Sequence, residues 1–394
     1  MTLRAARCSL SRCLRTHRAF PLILVGVSMM LTQGTAPALG QERKKVNAAG
    51  PRTVSREVLT EAQWQEVEQA IDRGLAFLSR RQNGDGAFNT NPNNEPGISG
   101  LCVLAFLSRG HLPGQGPYGI NLTRSVDYML NSQHPDGLIA RSRQPYYAPY
   151  SHGICSLVFG EIYGMSRSDD EQRLRQAIEK AIVFTSHRYS QPKAHADDEG
   201  SWRYLKRHRS SDGDLSITSW NVMFLRSAKN SGFTIDVSLI DDALGYMKRV
   251  YDPQVKTFRY EIHTDDPQHN HTRAMAGAGT LSLALSGDHH SELAESAARY
   301  ILKRPFDQYD RPIPGEEHPC YSAFYCSQAM FQMGGEYWSE FYPRLVDTLL
   351  RAQRADGSWL LKQGADVACG PEYMTAMTIL ALTPPYQLLP IFQR

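Results

Sequence analysis

Residues 351–361 read RAQRADGSWLL: the end of an apolar-periodic run, a glutamine, a short turn closing on glycine, and a tryptophan. Alone, this is a helix end and a surface turn. Read as one copy of a unit, it predicts further copies, and the chain holds them. RGLAFLSRRQNGDGAF (73–88) carries an apolar helix, Gln82, a Gly-Asp-Gly turn and Phe88. VDYMLNSQHPDGLI (126–139) repeats the order with Gln133, Asp136 and Gly137, and its aromatic is replaced by leucine. AIEKAIVFTSHRYS (177–190) leads through a longer turn to Gly200, Ser201 and Trp202. Two more stretches, 240–260 and 297–312, keep the helix and lose the Gln-turn-Trp core.

Each copy is followed by a second apolar run. Five of these runs close on Gly110, Gly164, Gly232, Gly287 and Gly335, spaced 54, 68, 55 and 48 residues apart. A sixth, PEYMTAMTILAL, follows at 371–382. A period of this size marks a repeat architecture. The first run of each unit is amphipathic: Ala70, Leu75, Phe77 and Leu78 alternate with Asp72, Arg73, Arg80 and Arg81, as on a half-exposed helix. The second is apolar nearly all round and rich in Gly, Ala and Ser, which suits a buried helix packed closely on neighbours. Six outer–inner pairs with buried inner members close economically into a ring. The expected fold is therefore all-α, a single (α/α)6 toroid spanning 65–390, with an open solenoid as the competing arrangement.

The first forty residues have a different character. Arg4, Arg7, Arg12, Arg15 and Arg18 form a basic segment without an acid, followed by an uncharged stretch from Phe20 to Leu31 and the small residues of TAPALGQE. That is the order of a secretory signal peptide over residues 1–40, with cleavage after Ala38 or Gly40. A linker and the start of the first helix fill 41–64. The expected location is outside the cytoplasm, periplasmic or extracellular, with membrane anchoring by an uncleaved leader as the alternative. Cleavage removes five of the 43 Lys+Arg and leaves 38 against 40 Asp+Glu. The basic excess thus resides in the leader and argues for no nucleic-acid partner. The five cysteines after the leader are odd in number and widely spaced, so no disulfide framework is required.

The repeat resembles the QW-type unit of triterpene cyclases and protein prenyltransferase β subunits. Arg73, Gly74, Phe77, Gln82 and Gly86 match it, with Phe88 replacing the tryptophan, and Gln353, Gly357 and Trp359 match it again. The tail MTILALTPPYQLLPIFQR is similar to that of exported bacterial toroid proteins without an assigned reaction. The resemblance implies the toroid; it does not by itself assign a reaction. The repeat residues themselves are structural. Gln hydrogen-bonds polar groups left free at the adjoining helix ends, Gly stops the helix, and the aromatic covers the junction.

In such a ring all inner helices start at one mouth, where their positive dipole ends converge. Glu95, His152, Asp212, Asp214, His271, Arg273, His318, Cys320 and Glu372 stand at or before those starts, and they form the default site. Tyr146, Tyr147, Tyr150, Trp220, Phe224, Tyr321, Phe324, Tyr325 and Tyr373 are the aromatics that join them, as ligand contacts or as core. Terpene cyclases of the second class protonate an alkene with the middle Asp of a D-x-D-D-T pattern. DGDLSIT (212–218) aligns Asp214 with that acid and Asp212 with the first carboxylate, while Leu215 replaces the third. An N-cap role for Asp214 is compatible with the same residues.

A prenyltransferase-type zinc site needs an Asp-x-Cys that the chain lacks; His318, Cys320 and His271 are the nearest substitutes, and no metal or cofactor is expected. Three readings follow. One is a cyclase-like enzyme handling an isoprenoid or other hydrophobic small molecule, with Asp214 as acid and Asp212 beside it. Its ligand contacts are Tyr150, His152, Trp220, His271, Arg273, His318, Tyr321, Tyr325, Glu372 and Tyr373. The second is a non-catalytic toroid holding a lipid, glycan or protein partner, with peripheral membrane contact open. The third is a glycan-active (α/α)6 enzyme needing two carboxylates roughly 5–9 Å apart, drawn from Glu95, Asp214 and Glu372.

Overall fold

The computed structural model describes residues 57–88, 92–165, 168–207, 211–264, 270–310, 315–316 and 318–393. All lie in one compact unit, 49–394. The expected leader, 1–40, lies outside the described residues.

Among the described residues the chain forms twelve α-helices in six pairs. The first three pairs are α1 (Glu61–Arg81) and α2 (Gly97–Leu107), α3 (Gly119–Asn131) and α4 (Ala148–Ile162), α5 (Ser168–Tyr189) and α6 (Leu215–Asn230). The last three are α7 (Val237–Arg249) and α8 (Arg273–Leu285), α9 (Glu292–Leu302) and α10 (Pro319–Met333), α11 (Gly335–Ala352) and α12 (Pro371–Leu382). The odd-numbered helices bury one face; in α7 only Leu239, Ile240, Ala243, Tyr246 and Met247 are buried, the spacing of a single helical stripe. Every residue of α2 and of α8 is buried. The even-numbered helices pack in sequence, α2 on α4, α4 on α6, α6 on α8, α8 on α10 and α10 on α12, and α12 returns to α2. That last contact, with α11 against α1, closes the (α/α)6 toroid and rules out the open solenoid. Gly277 lets α8 approach α10 closely: a Cβ there would lie 2.7 Å from the Cys326 nitrogen.

The inner helices run parallel. At their starts Gly97 N–H donates to Ser151 Oγ (3.2 Å), and Ser216 Oγ meets the Tyr321 hydroxyl (2.6 Å). At their ends Ser227 Oγ donates to Glu161 (2.6 Å) and Ser327 Oγ to the Ala381 carbonyl (2.5 Å). Their C-terminal end is floored by the chain's own tail. Leu389, Ile391 and Phe392 are buried there. Ile391 N–H donates to Glu161 (3.1 Å), and Gln332 donates to the Phe392 carbonyl (2.7 Å).

The opening motif is a clasp between successive outer helices. Gln353 Nε2 donates to the Ala70 carbonyl in α1 (2.7 Å) and to Gly357 in its own turn (3.0 Å), while its Oε1 accepts from Arg73 Nε (3.1 Å). Gln133 does the same toward Ala177 of α5 (2.9 Å), and Gln82 toward Asn121 of α3 (2.8 Å). The sixth copy therefore grips the first helix and seals the ring. Two details differ from the sequence reading. The glutamines reach carbonyls inside the next helix rather than free groups at a helix end, and α1 and α11 end at the glutamine itself, whose backbone is extended. The glycine serves the turn: at φ 93° Gly357 presses on the Arg73 carbonyl, where a Cβ would lie 2.3 Å away. In the second copy the aromatic position belongs to Ile139, which bridges Gln133 as Phe88 bridges Gln82, rather than to Leu138.

The aromatic residue is pinned to its own inner helix. Trp359 N–H donates to Thr375 Oγ1 (3.2 Å), Trp202 N–H to Thr218 Oγ1 (3.0 Å) and Phe88 N–H to Ser99 Oγ (3.1 Å). The fourth unit lacks the clasp and makes a ribbon instead. There β1 (Tyr251–Asp252) pairs antiparallel with β2 (Thr257–Phe258), which lays Phe258 over Gly279 of α8.

Candidate functional site

Asp214 ends the third clasp and begins α6. Its extended backbone and its Oδ1, accepting from Ile217 N–H at 2.7 Å, make it the N-cap. Oδ2 accepts from the Tyr260 hydroxyl at 3.3 Å. The side chain is fully buried, and burial lifts its pKa to about 6, against the opposing pull of Arg203 and its hydrogen bonds. Arg203 is itself buried and ion-paired to Glu261, donates to the Gly213 carbonyl (3.0 Å), and lies over the rings of Tyr204 and Tyr260.

Beside Asp214 the axis is lined by hydroxyls. α6 and α10 are not neighbours in the ring, so contacts between them cross the axis. Tyr321 of α10 meets Ser216 of α6 and accepts from Trp220 Nε1–H at 2.8 Å, with Tyr325 3.5 Å beyond. Ser216 also lies beside Tyr150 of α4. Tyr150, Tyr325 and Tyr373 sit in surroundings dry enough to push their phenol pKa values well up. Deeper down the axis is filled: Trp220 stacks on Phe324 (5.7 Å between ring centres, 6° between planes), and Phe324 meets Phe392 of the tail. The result is a cluster of tyrosines above an aromatic floor.

The structure gathers Asp214, Tyr150, Trp220, Tyr321 and Tyr325 here, with Tyr373 adjoining. The other expected residues lie elsewhere on the rim. Asp212 turns to the outer loop, where its carboxylate accepts from Ala194 N–H (2.8 Å) and Arg207 (3.1 Å), so the two aspartates of DGDLSIT do not form one pair. His152 is the second unit's version of the Ser/Thr pin: Nδ1 accepts from Ile139 N–H (3.3 Å) and Nε2–H faces Thr185 Oγ1 (2.9 Å). Burial drives its pKa down to about 3, so it is a neutral structural ring. His271 bonds Asp252 at the ribbon (3.0 Å). Arg273 is buried against Glu316 (2.7 Å) with its guanidinium 3.5 Å from the Phe306 ring centre. His318 bonds Asp366 (2.8 Å), whose other oxygen receives Cys320 N–H (2.8 Å) at the start of α10. Glu372 is paired with Arg81 (2.6 Å). Glu95 accepts from Ser99 Oγ (2.7 Å).

His271, His318 and Cys320 therefore do not converge. Among the described residues no group of three or more His, Cys, Asp or Glu is placed to hold a metal ion, and no helix is long and apolar enough to cross a membrane.

The reading from sequence missed Arg203, Tyr204, Tyr260 and Glu261. A signal for the tyrosines existed. Tyr204 lies two residues after Trp202, and Tyr260 two after Phe258, and residues two apart in extended chain share a face. The residues after the covering aromatic thus deliver side chains to the mouth.

No protein-family model matches the chain, and no curated protein matches it. Solved structures of the same fold do. The type II terpene cyclase MstE from Scytonema, in complex with geranylgeranyl dihydroxybenzoate, superposes with a TM-score of 0.55 at 13% identity, covering 84% of this chain and 100% of that one. A GH76 α-mannanase from Bacteroides thetaiotaomicron gives 0.56 at 10% identity, covering 80% and 94%. A protein from Actinoplanes gives 0.51 at 18% identity, covering 80% and 98%. The chain is thus a terpenoid cyclase-like toroid in fold, an architecture also present in a glycosidase.

Proposed function

We propose that the protein holds a hydrophobic small molecule of isoprenoid type against the tyrosine cluster at the mouth and that Asp214 donates a proton to it, as in cyclase-type toroids. The observation that carries this reading is the placement of Asp214. It is a fully buried carboxyl with its pKa lifted to about 6, beside a cluster of side chains from α4, α6 and α10. A carboxyl in that range keeps an appreciable protonated fraction near neutral pH, which a general acid requires. The faces of Tyr150, Tyr321, Tyr325 and Trp220 are suited to a developing cation. Their hydroxyls, with Ser216, favour a ligand that carries oxygen. The Trp220–Phe324 stack limits depth, so the ligand is compact or only its head enters. The MstE structure with its geranylgeranyl dihydroxybenzoate substrate supports this ligand class. The basic, apolar and small-residue order of residues 1–40 supports an exported site of action.

The test is incubation of the purified protein with linear polyprenyl substrates, followed by mass-spectrometric product analysis. Wild type is expected to form a cyclised product. Asp214→Asn is expected to abolish it without lowering the melting temperature, because Asn also caps helices well. Product formation that survives Asp214→Asn overturns the proposal. Ligand retained in native mass spectra without any product would replace it with the non-catalytic binding toroid.

A further inference from the structure

We propose that Tyr204 and Tyr260 form a proton-return wire that recharges Asp214 from solvent. The inference rests on the reading of Asp214 as a proton donor. A buried acid that gives up its proton must recover one before it acts again, and Asp214 is 0% exposed. Its Oδ1 is committed to the Ile217 cap, which leaves Oδ2 and the Tyr260 hydroxyl 3.3 Å away as the route in.

The direction of the wire follows from hydrogen counting. A tyrosine hydroxyl carries one hydrogen. Tyr260 gives its hydrogen to Asp214, so in the 2.8 Å contact between the Tyr204 and Tyr260 hydroxyls the donor is Tyr204. Both bonds point at the acid. Tyr204 is half-buried, and its ring lies 4.9 Å from that of Tyr146, which is 46% exposed. Two hydroxyls thus link the fully buried acid to half-buried rings. Arg203 fixes both links, with its guanidinium 5.0 Å from the Tyr204 ring centre and 5.6 Å from that of Tyr260.

The transfer balances without a charged tyrosine. As Asp214 Oδ2 gains a hydrogen, the Tyr260 O–H bond breaks. Tyr260 regains one from Tyr204, and Tyr204 takes one from hydronium, which leaves as water. Burial raises the pKa of both phenols, so a concerted shift is favoured over a lasting phenolate. The other titratable groups that face Asp214 are Arg203, Glu261, Lys193, Tyr150, Tyr246, Tyr321 and Tyr325. The first two are spent on each other, and Lys193 donates to the Ser201 and Asp212 carbonyls (2.8 and 3.2 Å). Tyr204 and Tyr260 are positioning residues in this scheme.

The experiment needs no substrate. The infrared band of the protonated Asp214 carboxyl is identified at about pH 5, below the raised pKa, as the difference between wild type and Asp214→Asn. Its hydrogen–deuterium exchange is then timed after a jump into D2O. Tyr204→Phe removes the outer link without touching Asp214. It is expected to slow exchange by at least an order of magnitude and to leave the titration of the band in place. Tyr260→Phe should slow exchange as well and shift the titration upward, since a hydrogen bond to the carboxylate is lost. A merely loosened site would exchange faster, so unchanged or faster exchange in Tyr204→Phe overturns the wire. A missing Asp214 band in wild type overturns the acid reading itself.

Discussion

At Gly357 the backbone stands at φ 93°, and a Cβ would lie 2.3 Å from the Arg73 carbonyl of a helix some 280 residues earlier in the chain. The same approach recurs at Gly86, Gly137 and Gly200, each at about this distance from a carbonyl of the following outer helix. Alanine there adds left-handed strain to a backbone clash. Gly357→Ala is expected to cost about 3 kcal/mol or more, read as a lower urea midpoint with unchanged slope. Gln353→Ala should cost about 1–3 kcal/mol, because the Ala70 and Gly357 carbonyls lose a shared donor. Residue types of this kind were legible without a structure, since glutamine, glycine and tryptophan at fixed offsets are a local signature. The role of His152 was not. A histidine at a helix start reads as a titrating group, and only its bonds to Ile139 and Thr185 show it replacing a serine or threonine pin.

Among the elements, α4 and α6 meet the tail at one carboxyl. Glu161 accepts from Ser227 Oγ and from Ile391 N–H, yet burial still lifts its pKa to about 7. The folded pKa lies above the unfolded one, so the folded state binds the proton more tightly. Stability from this group is complete below the unfolded value near 4.5 and is lost as pH rises through about 7. The loss amounts to about 3 kcal/mol. Asp214, lifted to about 6, works in the same direction. Urea midpoints should therefore fall between about pH 5 and about pH 8, and Glu161→Gln should flatten much of that fall. An equally steep fall in the variant would remove Glu161 from the account. The alternation of half-buried and fully buried helices was legible, because apolar periodicity follows directly from which faces meet water. The ribbon at Tyr251–Phe258 was not, since two-residue strands leave almost no pattern.

For the whole molecule, closure depends on both ends of the described chain. The sixth clasp grips α1, and the tail floors the ring beneath Phe324. Truncation after Thr383 removes buried Leu389, Ile391 and Phe392. At about 1.5–3 kcal/mol for each large apolar side chain, it should cost roughly 5 kcal/mol and raise binding of a hydrophobic dye; an unchanged urea midpoint would show the floor to be dispensable. The shared architecture of a terpene cyclase and an α-mannanase, each at most 14% identical to this chain, shows why the ring alone selects no chemistry. The sequence by itself determined the ring: six outer–inner pairs, the clasps and the mouth where the candidate groups start. Those signals are local, because helix period and turn chemistry are written within a few residues. Only the tertiary structure decided which rim groups meet. Ser216 reaches Tyr321 across 105 positions, Asp214 reaches Tyr260 across 46, and Asp212, two residues from Asp214, faces the other way. Closing the ring brings distant residues together and turns near ones apart, and no spacing along the chain encodes that.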